Sequence, residues 1–148
     1  MKKVLLAGTF DIIHPGHLYL LKQAKKRGDF LIVVIARDKT VKKEKGYYPY
    51  FNEKERVKNL KKLHLANRVL LGHPKDKLKI VVKLKPDVIC LGYDQKATPK
   101  LLKKKLVKFN FYPHIVRLSS LKPRQYKTSL LHKNNLVAIK KYRSNYYH

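Results

Sequence analysis

His14 and His17 stand three residues apart in the string Gly8-Thr9-Phe10-Asp11-Ile12-Ile13-His14-Pro15-Gly16-His17. On the first turn of a helix that spacing turns both imidazoles toward one ligand. An imidazole pair can donate hydrogen bonds to a phosphate and stabilise the charge that builds on it during phosphoryl transfer. An apolar run over residues 4–7 ends directly at Gly8, and Pro15 occupies the position a helix start favours. The segment therefore reads as strand, turn and helix N-terminus, where free backbone N–H groups and the helix dipole favour an anion. Gly8 and Gly16 let backbone approach a ligand closely. The pair is expected at a solvent-accessible helix start, serving chemistry rather than folding. Two plainer readings compete: half a metal site, which no nearby Cys or third His supports, and simple surface residues.

The rest of the chain reads as the scaffold that would hold this segment. Residues 4–7 and 30–36 are continuous and apolar, as strands buried on both faces should be. Residues 69–71 and 88–91 repeat the pattern briefly, and 114–118 is a weaker fifth strand. Helices are predicted between them. Residues 15–27 carry Leu18, Leu21 and Ala24 on one face, with Gly28 as the stop. Residues 52–63 open with Asn52 as N-cap and Glu55 three residues on. Residues 76–85 and 98–108 follow, the latter with Thr98 capping and Pro99 in the first turn. Such alternation implies an α/β fold, a doubly wound five-stranded parallel sheet. The Lys-rich stretch holding Lys42, Lys43 and Lys45 is read as a loop after the second strand. Residues 1–135 form the expected domain, and 136–148 a basic Tyr/Lys-rich tail.

Composition narrows the function further. The 148 residues suit one domain with a normal core. Lys and Arg number 36 against 9 Asp and Glu, a formal net charge of +27, which raises the prospect of a polyanionic partner. Yet 29 of the 36 are Lys and only seven Arg, the residue whose fork best reads guanine edges and phosphates. Scattered lysines fit either a compositional bias on solvated faces or a field that draws phosphorylated ligands inward. The 44% hydrophobic content rules out a disordered polycation. No apolar run approaches the roughly 18–20 residues of a membrane span, and the apolar run at the N-terminus is too short for a signal peptide. Cys90 is the one cysteine, so an internal disulfide and a multi-thiolate metal cluster are excluded. It is expected as a small buried strand residue. A cytoplasmic protein is expected.

Gly8-Thr9-Phe10-Asp11 followed by His14-Pro15-Gly16-His17 resembles the nucleotidyltransferase signature of the cytidylyltransferase-like superfamily. The resemblance continues through Ala24-Lys25, Gly28-Asp29, Val34-Ile35-Ala36-Arg37-Asp38, Lys42-Lys43, Lys45-Gly46, Glu55-Arg56 and Leu91-Gly92-Tyr93-Asp94-Gln95, spanning roughly residues 2–132. Within the superfamily the chain is most similar to the archaeal FAD synthetase, or FMN adenylyltransferase, branch. Ile35-Ala36-Arg37-Asp38, Gly92-Tyr93-Asp94-Gln95 and Tyr126-Lys127-Thr128-Ser129 carry that likeness. The chain departs from the pattern where Tyr47 and Tyr48 precede Pro49 in place of an Arg, and where Asn67 replaces a common Asp. The Arg-Thr…Ile-Ser-Thr-Thr segment of the cytidylyltransferases is absent, which weakens a cytidylyl reading more than a flavin one.

The resemblance implies a Rossmann-like nucleotidyltransferase that moves the AMP moiety of ATP to FMN. His14 and His17 would be the catalytic pair. Thr9, Phe10, His14, Pro15, Gly16, His17, Asp94 and Tyr126 would bind ATP, with Thr128 as a helix N-cap beyond Tyr126. Lys43 and Lys45 read equally as a phosphate clamp or as a solvated charge run, and Asp11 and Asp38 would orient the motif or help hold a divalent cation. That cation, Mg²⁺ or similar, needs few protein ligands when it travels with a nucleoside triphosphate. A homodimer is implied, and neither a membrane nor nucleic acid as partner. Two other functions remain open: a cytidylyltransferase acting on glycerol 3-phosphate or a similar phosphorylated alcohol, and a small basic RNA-binding protein without activity.

Overall fold

Strand β1 (Lys3–Gly8) forms the middle of a five-stranded sheet in a computed structural model that describes residues 1–92 and 98–119. Around it stand β2 (Phe30–Ile35), β3 (Arg68–Leu71), β4 (Val88–Leu91) and β5 (His114–Arg117), in the order β3-β2-β1-β4-β5. Every pairing is parallel, with Lys3 opposite Phe30 through Gly8 opposite Ile35 along β1 and β2. The helices are α1 (Pro15–Lys25), α2 (Asp38–Lys45), α3 (Glu53–Lys61), α4 (Lys77–Leu84) and α5 (Pro99–Val107).

Alternation along the strands sorts the core into two layers. Val4, Leu6, Val33 and Cys90 point to one face, where they meet Leu21 and Ala24 of α1 and Leu60 of α3. Leu5, Ile32, Val34 and Ile89 point to the other, where Leu106 of α5 and Leu78 and Val81 of α4 cover them. Burial on both faces is why these strands read as unbroken apolar runs. Cys90 lies in this core, and burial pushes its thiol up to about 11. Helices thus flank the sheet on both sides. Winding reverses between β1 and β4, and the segment leading to His14 and His17 leaves the carboxyl end of β1 beside that reversal, where sheets of this kind place their ligands.

The capping chemistry read from the sequence is present. Asn52 accepts the Glu55 N–H at 2.9 Å while the Glu55 side chain reaches back to the Asn52 N–H. Asp76 and Thr98 cap α4 and α5. Helix α2 corrects the expected Lys-rich loop. Its eight residues bury only Val41, so no apolar period marks them; Asp38 in the first turn, lysines in the last, and Gly46 at φ 85° define the helix instead.

Candidate active site

The β1–α1 segment holds the histidines in a constrained turn. Phe10 sits in the left-handed region at φ 49°, uncommon for a bulky residue, and is 3% exposed. Its ring lies over Gly8, where a Cβ would come within 2.8 Å of Phe10 Cε2. The ring then meets His17 at 5.3 Å, and His17 stacks on His14 at 3.9 Å with the planes 21° apart. His14 is the N-cap of α1, its Nδ1 accepting the Gly16 N–H at 3.1 Å.

Two expectations change here. His14 is 4% exposed, so the pair is not a solvent-accessible surface feature, and part of its work is to cap α1. Nor does the helix start present free N–H groups. Pro15 has none, Gly16 gives its own to His14 Nδ1, and His17 donates to the His14 carbonyl at 2.9 Å. Anion recognition at this helix start therefore falls to the imidazoles and the helix dipole.

Both rings are neutral at pH 7. Burial, then the neighbouring His17, lowers His14 to about 2. Burial and the Lys45 ammonium lower His17 to about 4, against the opposing effect of a hydrogen bond to the Ile12 backbone. With Nδ1 of His14 an acceptor, its proton belongs on Nε2. His17 Nδ1 is buried with no hydrogen-bond partner among the described residues. A buried polar atom of this kind is poised for a ligand.

The depressed values predict acid sensitivity. The unfolded histidines titrate near 6.5, above the folded values, so the unfolded state binds the extra protons. Stability is then full above pH 6.5 and declines as pH falls from there to about 4 for His17, and lower still for His14. Each ring contributes a slope of at most about 1.4 kcal/mol per pH unit. Thermal melts at pH 7.5, 6 and 5 should show the decline, and a His14→Asn, His17→Asn double variant should flatten it. Parallel curves for both proteins would contradict this.

A second set of bonds fixes the motif from behind. Asp11, 1% exposed, accepts the backbone N–H groups of Tyr50 at 2.7 Å and Phe51 at 2.8 Å. Arg56 is fully buried on α3 and donates to the carbonyls of Thr9 at 2.9 Å and Phe51 at 3.1 Å. Its third bond, at 2.8 Å, goes to the Asp38 carboxylate. Glu53 accepts the Asp38 N–H at 3.0 Å and pairs with Arg37, whose Nε reaches the Gly72 carbonyl at 2.7 Å. Asp11 thereby ties the segment after α2 to the motif, and Asp38 reaches the motif through Arg56. Arg56 is the residue behind the motif that the sequence did not mark: Glu55-Arg56 matched the family pattern, but nothing in the spacing signals a buried guanidinium.

The structure brings Thr9, Phe10, Asp11, His14, Pro15, Gly16 and His17 together through the β1–α1 segment, with Asp38 joined to it by Arg56. Lys45, at the end of α2, acts on His17, whereas Lys77 of α4, which pairs with Glu44, is lowered by burial and then by the Lys105 and Lys43 charges. The two lysines thus serve different neighbourhoods. Asp94, Tyr126 and Thr128 lie outside the described residues. Gly92, just beyond β4, is buried and its carbonyl accepts from Arg117 at 2.8 Å. No group of three or more His, Cys, Asp or Glu among the described residues could hold a metal ion. No described helix is long and apolar enough to cross a membrane.

The five-stranded parallel sheet, with a stacked histidine pair opening the helix after its central strand, is a nucleotidyltransferase fold of the cytidylyltransferase-like kind. The chain belongs to the Cytidylyltransferase-like family, whose model matches residues 5–143, and within it to the FAD synthases. It is 43% identical to the FAD synthase of Thermoplasma acidophilum over 94% of this chain and 97% of that one. It is 44% identical to the FAD synthase of Methanohalophilus mahii, over 84% and 85% respectively. Among solved structures, a lipopolysaccharide core biosynthesis protein from Thermoplasma volcanium superposes with a TM-score of 0.79 at 43% identity, covering 82% of this chain and 99% of that one.

Proposed function

We propose that the protein transfers the AMP moiety of ATP to FMN, giving FAD and pyrophosphate. The observation that carries this reading is the likeness to FAD synthases along nearly the full length of both chains. The chemistry asks little covalent work of the protein. A phosphate oxygen of FMN attacks the α-phosphorus in line, the bond to the β-phosphate oxygen breaks, and pyrophosphate leaves with that electron pair. His14, already neutral, donates its Nε2–H to the phosphates as charge builds, while His17, whose one ring proton goes to the Ile12 backbone, braces it by stacking, and the buried setting strengthens the bond. Lys45 adds a positive charge beside them. Thr9, Phe10, Pro15 and Gly16 shape the same ATP site, which Asp94 and Tyr126 complete.

A divalent cation, Mg²⁺ or similar, accompanies ATP in this reading. Asp11 and Asp38 are committed to backbone N–H groups and to Arg56, so the triphosphate itself would supply most of the cation's ligands. The reading also includes a homodimer, a cytoplasmic location, and a catalytic unit of residues 1–135 with 136–148 as an appendage.

Gly8→Ala tests the packing behind the pair. The new methyl would push the Phe10 ring toward His17. A misplacement near 1 Å costs on the order of 100-fold in rate, so kcat should fall at least tenfold while the protein still folds. Unchanged kcat would show the ring contact to be dispensable.

Ligand-induced thermal shift tests the function. ATP with FMN should raise the melting temperature, by about 2.7 kcal/mol of added stability at ligand concentrations about 100-fold above Kd. Stabilisation by CTP with glycerol 3-phosphate, or by oligonucleotides, in place of ATP with FMN would favour the competing readings.

A further inference from the structure

Three tyrosines and a phenylalanine crowd the segment after α2: Tyr47, Tyr48, Tyr50 and Phe51. That segment leaves α2 at Lys45, whose charge acts on His17, and is then sewn to the β1–α1 motif by the Asp11 carboxylate. Tyr47 is half-buried beside Asp11, and burial with that negative charge keeps its hydroxyl protonated. Phe51 packs inward, edge-on to Tyr50 at 4.8 Å. Tyr48 does the opposite. It is 60% exposed, with the Lys42 ammonium 5.6 Å from its ring centroid, and Lys42 is itself fixed by a 2.8 Å bond to the Gly46 carbonyl. A large ring backed on one side by an anchored cation, on a loop bonded to the catalytic motif, is a stacking surface without an occupant among the described residues.

Topology selects the ligand. In the order β3-β2-β1-β4-β5 the tyrosine segment follows β2, on the opposite side of β1 from β4, and Asp11 holds it at the edge of the ATP motif. In an in-line transfer the attacking oxygen of the acceptor and the departing pyrophosphate lie on opposite faces of the α-phosphorus, so the acceptor needs a surface of its own beside the ATP site. We propose that Tyr48 is the platform on which the acceptor's planar heteroaromatic ring stacks, so that this loop sets acceptor specificity. The proposal rests on the reading that the acceptor is FMN, whose isoalloxazine is such a ring. A small polyol phosphate has no ring to place there.

The test compares the full-length parent with Tyr48→Leu, which keeps apolar bulk but removes the ring, and Tyr48→Phe, which keeps the ring. The side chain is exposed, so both variants should fold. FMN fluorescence, quenched by stacking on tyrosine, is titrated without ATP, and Michaelis constants for FMN and ATP are measured. Tyr48→Leu should lose the quenching and weaken FMN binding about tenfold, within the range for a base stacked on an aromatic side chain. Its Michaelis constant for ATP should not change, and Tyr48→Phe should match the parent within about twofold. A Tyr48→Leu protein that binds and quenches FMN like the parent, or whose ATP constant moves instead, overturns the platform while leaving FAD formation by the parent intact. A parent that neither binds FMN nor converts it overturns the functional reading and the platform together.

Discussion

His14→Asn is expected to lose roughly 30- to 900-fold in kcat at saturating ATP, which corresponds to about 2–4 kcal/mol of transition-state stabilisation. Asparagine is a good N-cap and can still accept the Gly16 N–H, so α1 keeps its start. What disappears is the Nε2 proton donor and the ring stacked on His17. His14→Ala removes the cap as well and should cost a further 0.5–2 kcal/mol or so of stability. His17→Asn should lose rate in the same range, because the ring that stacks on His14 and fixes its aim is lost. The comparison separates the two tasks of His14, which its 4% exposure entangles. Equal turnover by parent and His14→Asn would remove the pair from the chemistry.

The largest stability effect is expected at Arg56. Arg56→Met leaves the carbonyls of Thr9 and Phe51 without their donor and Asp38 without its cation. Removing one partner of a buried ion pair costs about 3–5 kcal/mol. The Asp38 side chain is 27% exposed, so water can solvate it in part and the lower end of that range applies. For a chain of this size about 3 kcal/mol lowers Tm by roughly 6–12 °C. Lysine should not rescue the loss, since one ammonium cannot replace three bonds made in a planar fork. A melting temperature within 2 °C of the parent would show that these bonds hold nothing together.

The parts of this site that were legible in the sequence are those encoded by local chemistry. Strand, turn and helix around Gly8–His17 follow from an apolar run, a glycine and a proline at a helix start. Asn52 with Glu55, Asp76 and Thr98 marked three further helix starts within a residue. Tertiary context decided the rest. Helix α2 has a single buried residue and therefore no periodic signal. Burial of His14, and with it a value near 2 in place of 6.5, depends on what packs over the turn. Arg56 looks in sequence like any exposed helical arginine, because its partners sit 5, 18 and 47 positions away. Lys43 and Lys45 are two apart in sequence, yet act on different groups once placed on a helix.

The most direct measurement is the mass of the product. Purified protein is incubated with an equimolar mixture of ATP, CTP, FMN and glycerol 3-phosphate together with Mg²⁺, and every new nucleotide is identified by mass spectrometry. FAD should form with one pyrophosphate per FAD, and at a rate that falls in His14→Asn as described. CDP-glycerol as the main product, or no nucleotidyl transfer at all, would contradict FMN adenylylation by this protein.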